Sequence, residues 1–505
     1  MNGSGVPLPE ASRKTQRHET MEAATTIADL TAGIFLYIMV QVNGREDSKM
    51  SDSNENGNGG FTRRAFMTST ALAAGALVLP PVAHANEDEF AATSGEPVYF
   101  RGWQYKPDVV QDNVDKYNKL HSGKVDYQTV TGDYPALMEK SLIAGDKLDM
   151  IYANPPTAVR FYEAGWIKPA DDLLSGPAAI ADMYDKVRDA WTYKDKVLGL
   201  SYFLSPRGII CVNRQRQEEL GIKDEEFPKN WDEFYAHLDA LNAKGVKDAF
   251  LPHWFNEFYG ISWAFLWEVI NRGGTTVDPK THAPTVTVDN AAGKTLAAWK
   301  KLWKSGKVPE EVLTYTEANV VDGFASGRYL YSCQAGYNLA LFNNKEKSKI
   351  AGKVGFIPYR GQAWGLLDSA LYLATTRKRS PALDADVSRF VSFYGFKNTS
   401  GKVWVGQTWM ENSMLFSGYK SVMESKDTAE SLKGFLARES DVKELLDLYA
   451  QTAAPNDVWK VVWAEELNSW LRKRLADFLL KDDSVETVIG ELSAQIVSLN
   501  KKYKL

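Results

Sequence analysis

Cysteine and histidine are scarce in this 505-residue chain, which carries two cysteines, Cys211 and Cys333, and six histidines. No Cys-x-x-Cys or Cys-x-x-Cys-His occurs, which removes the usual ways of holding structural zinc, an iron–sulfur cluster or attached haem. Positive charge is not in excess either. The 59 Lys and Arg against 64 Asp and Glu give a formal net charge of −5, the wrong sign for a broadly basic nucleic-acid binder. Long apolar runs are absent: Ala32 to Val42 and Ala71 to Val82 both fall short of the roughly 20 residues that span a bilayer. There is no Gly-x-Gly-x-x-Gly, and the nearest phosphate-loop fragment, Gly293-Lys294-Thr295, has Val288 where the leading glycine would stand. No cofactor, metal or nucleic acid is therefore expected. What the chain does have is a 44% hydrophobic content, enough to bury full-sized cores, and 15 tryptophans, the one anomaly of composition.

The first 85 residues read as an address. From Met50 a polar stretch, Ser51 to Gly60, leads into Thr62-Arg63-Arg64-Ala65-Phe66-Met67, then small apolar residues from Ala71 to Leu79, then Ala83-His84-Ala85. Paired arginines beside a Phe, ahead of an apolar segment and an Ala-x-Ala site, resemble a twin-arginine export signal, the type that carries folded cargo. Residues 1–49 add nothing such a leader needs and are expected to be a non-native extension, with 50–85 the signal and the mature chain starting near Asn86. The twin-arginine translocase is then a partner during export, and the mature product is expected to be free in the periplasm. Cys211 and Cys333 lie in apolar, strand-like runs and are expected as buried free thiols, although export permits a bridge.

After Asn86 strands and helices alternate. Val98 to Phe100, Lys124 to Val130 and Leu148 to Ala153 read as strands, with helical stretches from Val109 to Leu120 and from Tyr134 to Ala144 between them. That order predicts a largely parallel sheet covered on both faces. Strand-like runs resume at Val197 to Phe203 and Gly208 to Val212, and helices dominate from Trp231. Asn230 with Glu233 forms a capping box that starts a helix at Trp231. A second helix runs from Ala291 to Ser305, strands are expected at Arg328 to Cys333 and Ala370 to Thr375, and residues 383–398, 428–450 and 458–502 are predicted helical. No Pro-rich linker divides the chain, so its two lobes are expected to interleave, with several short crossings acting as a hinge.

Several segments, in order, resemble the family 1 extracellular solute-binding proteins, the group of maltose-binding-protein-like receptors of ATP-driven importers. Gly145-Asp146-Lys147-Leu148-Asp149-Met150-Ile151-Tyr152 is similar to that family's Gly-x-x-Pro-Asp strand start, with Leu148 in place of Pro. Glu163 to Leu173 resembles its Ala-Gly-hydrophobic stretch ending in Leu-Asp-Asp. Lys196 to Tyr202 resembles the Gly-x-x-Tyr-Gly-x-Pro hinge, with Ser201 for Pro, followed by Ile209 to Arg214 as the Tyr-Asn-Lys strand. Phe227 to Phe234 is similar to Pro-x-Thr-Trp-Asp-Glu-Phe, and Phe324 to Tyr329 to Phe-x-x-Gly-Lys-Ala. Asp368-Ser369 occupies the family's usual Gly-Gly turn. The resemblance implies an α/β, two-lobed type II periplasmic-binding-protein fold, each lobe a mostly parallel sheet flanked by helices. It places 86–204 with 333–370 in lobe 1 and 205–332 with 371–505 in lobe 2. It further implies a monomeric receptor that closes on a small solute and delivers it to the membrane permease of an ABC importer.

A sugar or polyol offers a C–H face and a rim of hydroxyls, so its receptor needs flat aromatic surfaces together with carboxylates, amides and guanidinium groups. If the lobes close as in the resembled family, loops at the carboxyl ends of the strands face the cleft. They would present Trp103, Tyr105, Tyr134 and Asn154 from the first lobe. Arg207 beside the hinge, Trp254, Glu257, Tyr259 and Tyr337 would come from the second, with Trp364, Asp368, Trp409 and Trp459 at later crossings and helix starts. Trp263, Trp267, Trp299 and Trp303 recur at helical spacing and are expected in the core, as are Trp404, Trp463 and Trp470. His253 and Glu257 stand four apart but lack a third metal ligand.

The competing class is an exported carbohydrate-active hydrolase or lyase, equally rich in tryptophan. A hydrolase needs two carboxylates facing across a cleft. Asp133, Glu257 and Asp368 fall on separate predicted loops, and no motif pairs any two of them.

Overall fold

The structure, a computed structural model, describes residues 90–358, 364–374, 377–398, 400–454 and 457–505, with backbone alone for 364–374, 451–454 and 457. The expected export signal therefore lies outside the described residues. In the first sheet Val98–Gly102 pairs in parallel with the edge strand Val125–Thr129 on one side and with Met150–Ala153 on the other. These three strands are the expected ones. Pro107–His121 follows the first of them, and Tyr134–Ala144, begun by the Asp133 side chain accepting from the Ala136 amide, follows the second. Parallel neighbours need such crossovers, because no tight turn can return the chain to the same end of a sheet.

The remaining strands of this sheet come from far along the chain. Trp364–Ala374 runs antiparallel to both Met150–Ala153 and Leu200–Pro206, so the hinge strand and a segment more than 150 residues later lie side by side. The second sheet has the order Val354–Phe356, Ile209–Asn213, Tyr331–Gln334, Phe250–Leu251. Its first two pairings are antiparallel and its last parallel. Both sheets are wrapped by helices, giving the two-lobed α/β architecture.

Sheet pairing divides the chain differently from the expected lobe bounds. Tyr331–Gln334 and Val354–Phe356 belong to the second sheet, whereas Trp364–Ala374 and the helix Pro381–Gly395 packed on it belong with the first. Residues 333–358 thus sit with the second lobe and 381–395 with the first. The membership of a short strand depends on which edge it pairs with, and local pattern does not encode that. Two long predicted helices are each broken. Residues 428–450 form Lys426–Phe435 and Glu439–Thr452, and 458–502 form mainly Ala464–Leu480 and Val485–Tyr503. The last break falls at a polar stretch ending in Ser484, whose hydroxyl accepts from the Thr487 amide and restarts the helix.

The crossing between the two sheets is a turn at Pro206-Arg207-Gly208. Gly208 has φ +77°, and a Cβ there would lie 3.1 Å from the Trp267 ring, so the turn needs glycine on both counts. Trp263, Trp267 and Trp299 are buried in the second-lobe core, and the Trp299 Nε1 donates to the buried Glu268 carboxylate at 2.8 Å. Cys211 and Cys333 are both buried and unbridged. In the ladder Cys333 faces Ile210 and Cys211 faces Ser332, so consecutive side chains point the two thiols to opposite faces of the sheet.

A buried charge cluster secures the first lobe. Asp149, fully buried at the start of the third strand, accepts from Arg377 Nε and Nη2 at 2.6 and 2.7 Å, from Arg379 Nε at 2.7 Å and from the Tyr99 amide at 2.8 Å. Removing a buried carboxylate strands its cationic partners, at a cost of about 3–5 kcal/mol. Asp149→Ala should lower the unfolding free energy by that amount and move the urea midpoint down with an unchanged m-value; a loss below about 1 kcal/mol would show that the two arginines find other partners.

Candidate functional site

The carboxyl ends of the three parallel strands open onto a cavity of about 520 Å³ between the lobes. From the first lobe it is lined by Trp103, Gln104 and Tyr105 after the first strand, by Gly132 to Pro135 after the second, and by Asn154 after the third. Such loops are free of ladder hydrogen bonding and can carry side chains that face a ligand. The second lobe contributes Asn256 to Tyr259, Glu317 and Tyr337, with Arg207 at the crossing and Arg472 on a C-terminal helix.

Aromatic packing holds the first-lobe wall. The Trp103 ring lies 4.8 Å from Tyr152 and meets Tyr134 edge-on at 5.4 Å. Tyr134 is fixed in turn, its hydroxyl donating to the Arg101 carbonyl at 2.7 Å and accepting from the Tyr152 amide at 2.9 Å. Tyr105 stacks on Trp409 at 5.9 Å, and the next residue, Lys106, donates through Nζ to Ser413 Oγ at 2.7 Å and the Asn412 carbonyl at 2.9 Å. That ammonium sits at the carboxyl end of the helix Trp404–Ser413, where a cation is favoured. Burial, and then the charge of Glu317, push the Tyr105 phenol up to about 12.

A charged cluster holds the second-lobe wall. The Arg207 side chain is 2% exposed and lies between two rings, its guanidinium carbon 5.1 Å from the Tyr259 centroid and 5.4 Å from that of Tyr337. Its Nη1 is 3.2 Å from Glu317 Oε1, which also accepts from the Tyr337 hydroxyl at 2.6 Å. Glu257 Oε2 accepts from the Glu317 amide at 2.7 Å. Burial opposes the charge on Arg207, but Tyr337 and Glu317 outweigh it and raise its titration further. His253 lies behind this cluster, its Nδ1 3.3 Å from the Cys333 carbonyl. Burial first, and then Arg207, hold it well below the ordinary imidazole range.

Eight of the thirteen expected residues line the cavity: Trp103, Tyr105, Tyr134, Asn154, Arg207, Glu257, Tyr259 and Tyr337. Asn154 also caps the helix Pro155–Glu163, its side chain accepting from the Thr157 amide. Three tryptophans lie elsewhere. Trp254 is buried 4.9 Å from Trp299, and Trp459 is buried 4.7 Å from Trp263, so both belong to core packing. Trp409 is buried behind Tyr105 and Phe203 and supports the wall without lining it. Trp364 and Asp368 stand on the long crossing strand, but their side chains fall outside the described residues. Sequence reasoning missed Tyr152, Phe203, Phe258, Glu317 and Arg472. Of these Phe258 alone carried a local signal, since it stands between Glu257 and Tyr259 on a loop already singled out. Among the described residues, no group of three His, Cys, Asp or Glu side chains is placed to hold a metal.

The buried neutral His253 makes stability depend on pH. Its folded-state titration lies below that of the unfolded chain, so below about pH 6.5 the unfolded state binds a proton that the folded state refuses. Stability therefore falls as pH falls, by about 1.4 kcal/mol per pH unit for this group. Urea unfolding between pH 7 and 5 should show that decline, and His253→Gln should reduce its slope by one proton; an unchanged slope would show that His253 is not the group responsible.

Comparison with known proteins agrees with this layout. Residues 104–366, just over half of the chain, match the family described as bacterial extracellular solute-binding protein. A maltose-bound Thermotoga maritima MalE3 has the same fold, with a TM-score of 0.65 at 17% identity, over 80% of this chain and 99% of that one. An ABC-transporter solute-binding protein of Agrobacterium radiobacter K84 in complex with ribitol gives 0.64 at 13% identity, over 80% and 99%. One from Agrobacterium vitis S4 with bound D-mannitol gives 0.62 at 14%, over 81% and 99%. No curated protein matches the sequence. The matched segment runs from the first cavity loop, through both sheets, to the long crossing strand, and the chain belongs to the bacterial extracellular solute-binding protein family.

Proposed function

We propose that the protein is the solute receptor of an ABC importer, capturing a sugar or polyol in the interlobe cavity by hinge closure and presenting it to a membrane permease. The observation that carries this reading is the two-sided wall. A cushioned indole, Trp103, and the Tyr105 ring stand on one lobe, and the Arg207–Glu317–Tyr337–Tyr259 cluster stands on the other. A C–H face stacks on the rings while hydroxyls meet carboxylate, guanidinium and phenol groups. Only a ligand touching both lobes favours the closed form, because a population shift requires differential affinity. The maltose, ribitol and mannitol held by the proteins of like fold support the polyhydroxylated class.

The receptor needs no chemistry. A hydrolase or lyase reading has less support, because the cavity carboxylates Asp133, Glu257 and Glu317 are all engaged by donors of the protein itself. The mature receptor is a monomer in the periplasm, delivered by the twin-arginine route.

A thermal-shift screen of sugars and polyols should yield a ligand that raises the melting temperature by mass action and is recovered intact by mass spectrometry. Trp103→Ala should weaken that ligand at least tenfold by calorimetry. A ligand that is consumed would overturn the receptor reading. Export is tested separately: replacing Arg63 and Arg64 by lysine should leave unprocessed precursor in the cytoplasm, and normal processing would rule out the twin-arginine route.

A further inference from the structure

Among the described residues five charged side chains line the cavity, and four of them have at least one partner within the protein. Asp133 accepts from the Ala136 amide, Glu257 from the Glu317 amide, and Glu317 from Tyr337 and Arg207, which is itself sandwiched between two tyrosines. The fifth is Arg472, partly buried on the helix Ala464–Leu480, and no hydrogen bond, ion pair or ring contact engages it among the described residues. Its own helix offers nothing. The positions three and four residues away are Ser469, Asn468, Leu475 and Ala476, none of them acidic. Asn468, one turn before it, is occupied by the Phe258 carbonyl at 2.7 Å and by Ser262. Two residues along, Arg474 by contrast pairs with Asp483 and Glu491.

An arginine beside an apolar cavity loses hydration, and its guanidinium then gains most from a planar or tetrahedral anion that takes two N–H bonds at once. Among the described residues the protein supplies no such group at Arg472. We infer that the solute supplies it: the ligand is a polyhydroxylated molecule bearing an anionic group, a carboxylate or a phosphate ester, that pairs with Arg472 while its hydroxylated part lies against Trp103 and Tyr105. Uronic and aldonic acids and sugar phosphates have this chemistry. This inference rests on the receptor reading and narrows it.

Calorimetry on the purified protein with matched pairs tests it: D-glucuronate against D-glucose, D-gluconate against sorbitol, and glucose 6-phosphate against glucose. The charged member of at least one pair should bind at least tenfold more tightly, and the pair that responds identifies carboxylate or phosphate. Arg472→Gln, with its melting temperature checked, should remove that preference, and Arg472→Lys should restore part of it. Neutral members binding as tightly as charged ones, or a charge preference that survives Arg472→Gln, would overturn the inference and leave the receptor reading standing. No binding by either member of any pair would overturn both.

Discussion

A single buried cation joins the parts of this protein that matter for its function. Arg207 occupies the turn where the chain leaves the first sheet for the second, and its guanidinium is enclosed by Tyr259, Tyr337 and Glu317 from three separate segments of the second lobe. A buried guanidinium is tolerated when it is paired, and electron-rich ring faces add to that stabilisation. Pairing it therefore brings residues 257–259, 317 and 337 to the crossing. The crossing and the polar wall of the cavity therefore share one side chain.

The first lobe depends on a different arrangement. Asp149 draws Arg377 and Arg379 from beyond the long crossing strand to the foot of the third strand, tying the end of that crossing to the sheet it joins. Above it Tyr152 and Tyr134 hold the Trp103 indole by ring contacts, and the Tyr152 amide donating to the Tyr134 hydroxyl ties those two residues together. The apolar half of the cavity is thus held rigid by packing, and the polar half by a charge network. A rigid aromatic surface opposed by a polar cluster across a hinge is an arrangement that binds by enclosing.

Much of the first lobe was legible because its signals are local. Alternating strands and helices implied the parallel order, and the loops after Gly102, Thr129 and Ala153 followed from it, so Trp103, Tyr105, Tyr134 and Asn154 could be named as cavity residues from position alone. In the second lobe the helices from Trp231 and Ala291 were legible from a cap and from periodicity, and so were cavity residues at Arg207, at Tyr337 and at the loop of Glu257 and Tyr259. Trp254 stands a few residues before them on the same stretch of chain, yet its indole turns inward to Trp299, because so large an apolar ring gains more from a core than from a solvated wall.

The amino-acid sequence by itself determined the elements, the caps, the first-lobe loops and the family, because each rests on periodicity, turn chemistry or motifs within a few residues of one another. Tertiary structure alone decided which sheet the strands at 331–334, 354–356 and 364–374 join, that Trp254, Trp409 and Trp459 turn into packing, and that Glu317 and Arg472 reach the cavity. Those outcomes depend on contacts between segments far apart in the chain. No local pattern reports such contacts, since the free energy that selects them comes from pairing and burial available only once both lobes have formed.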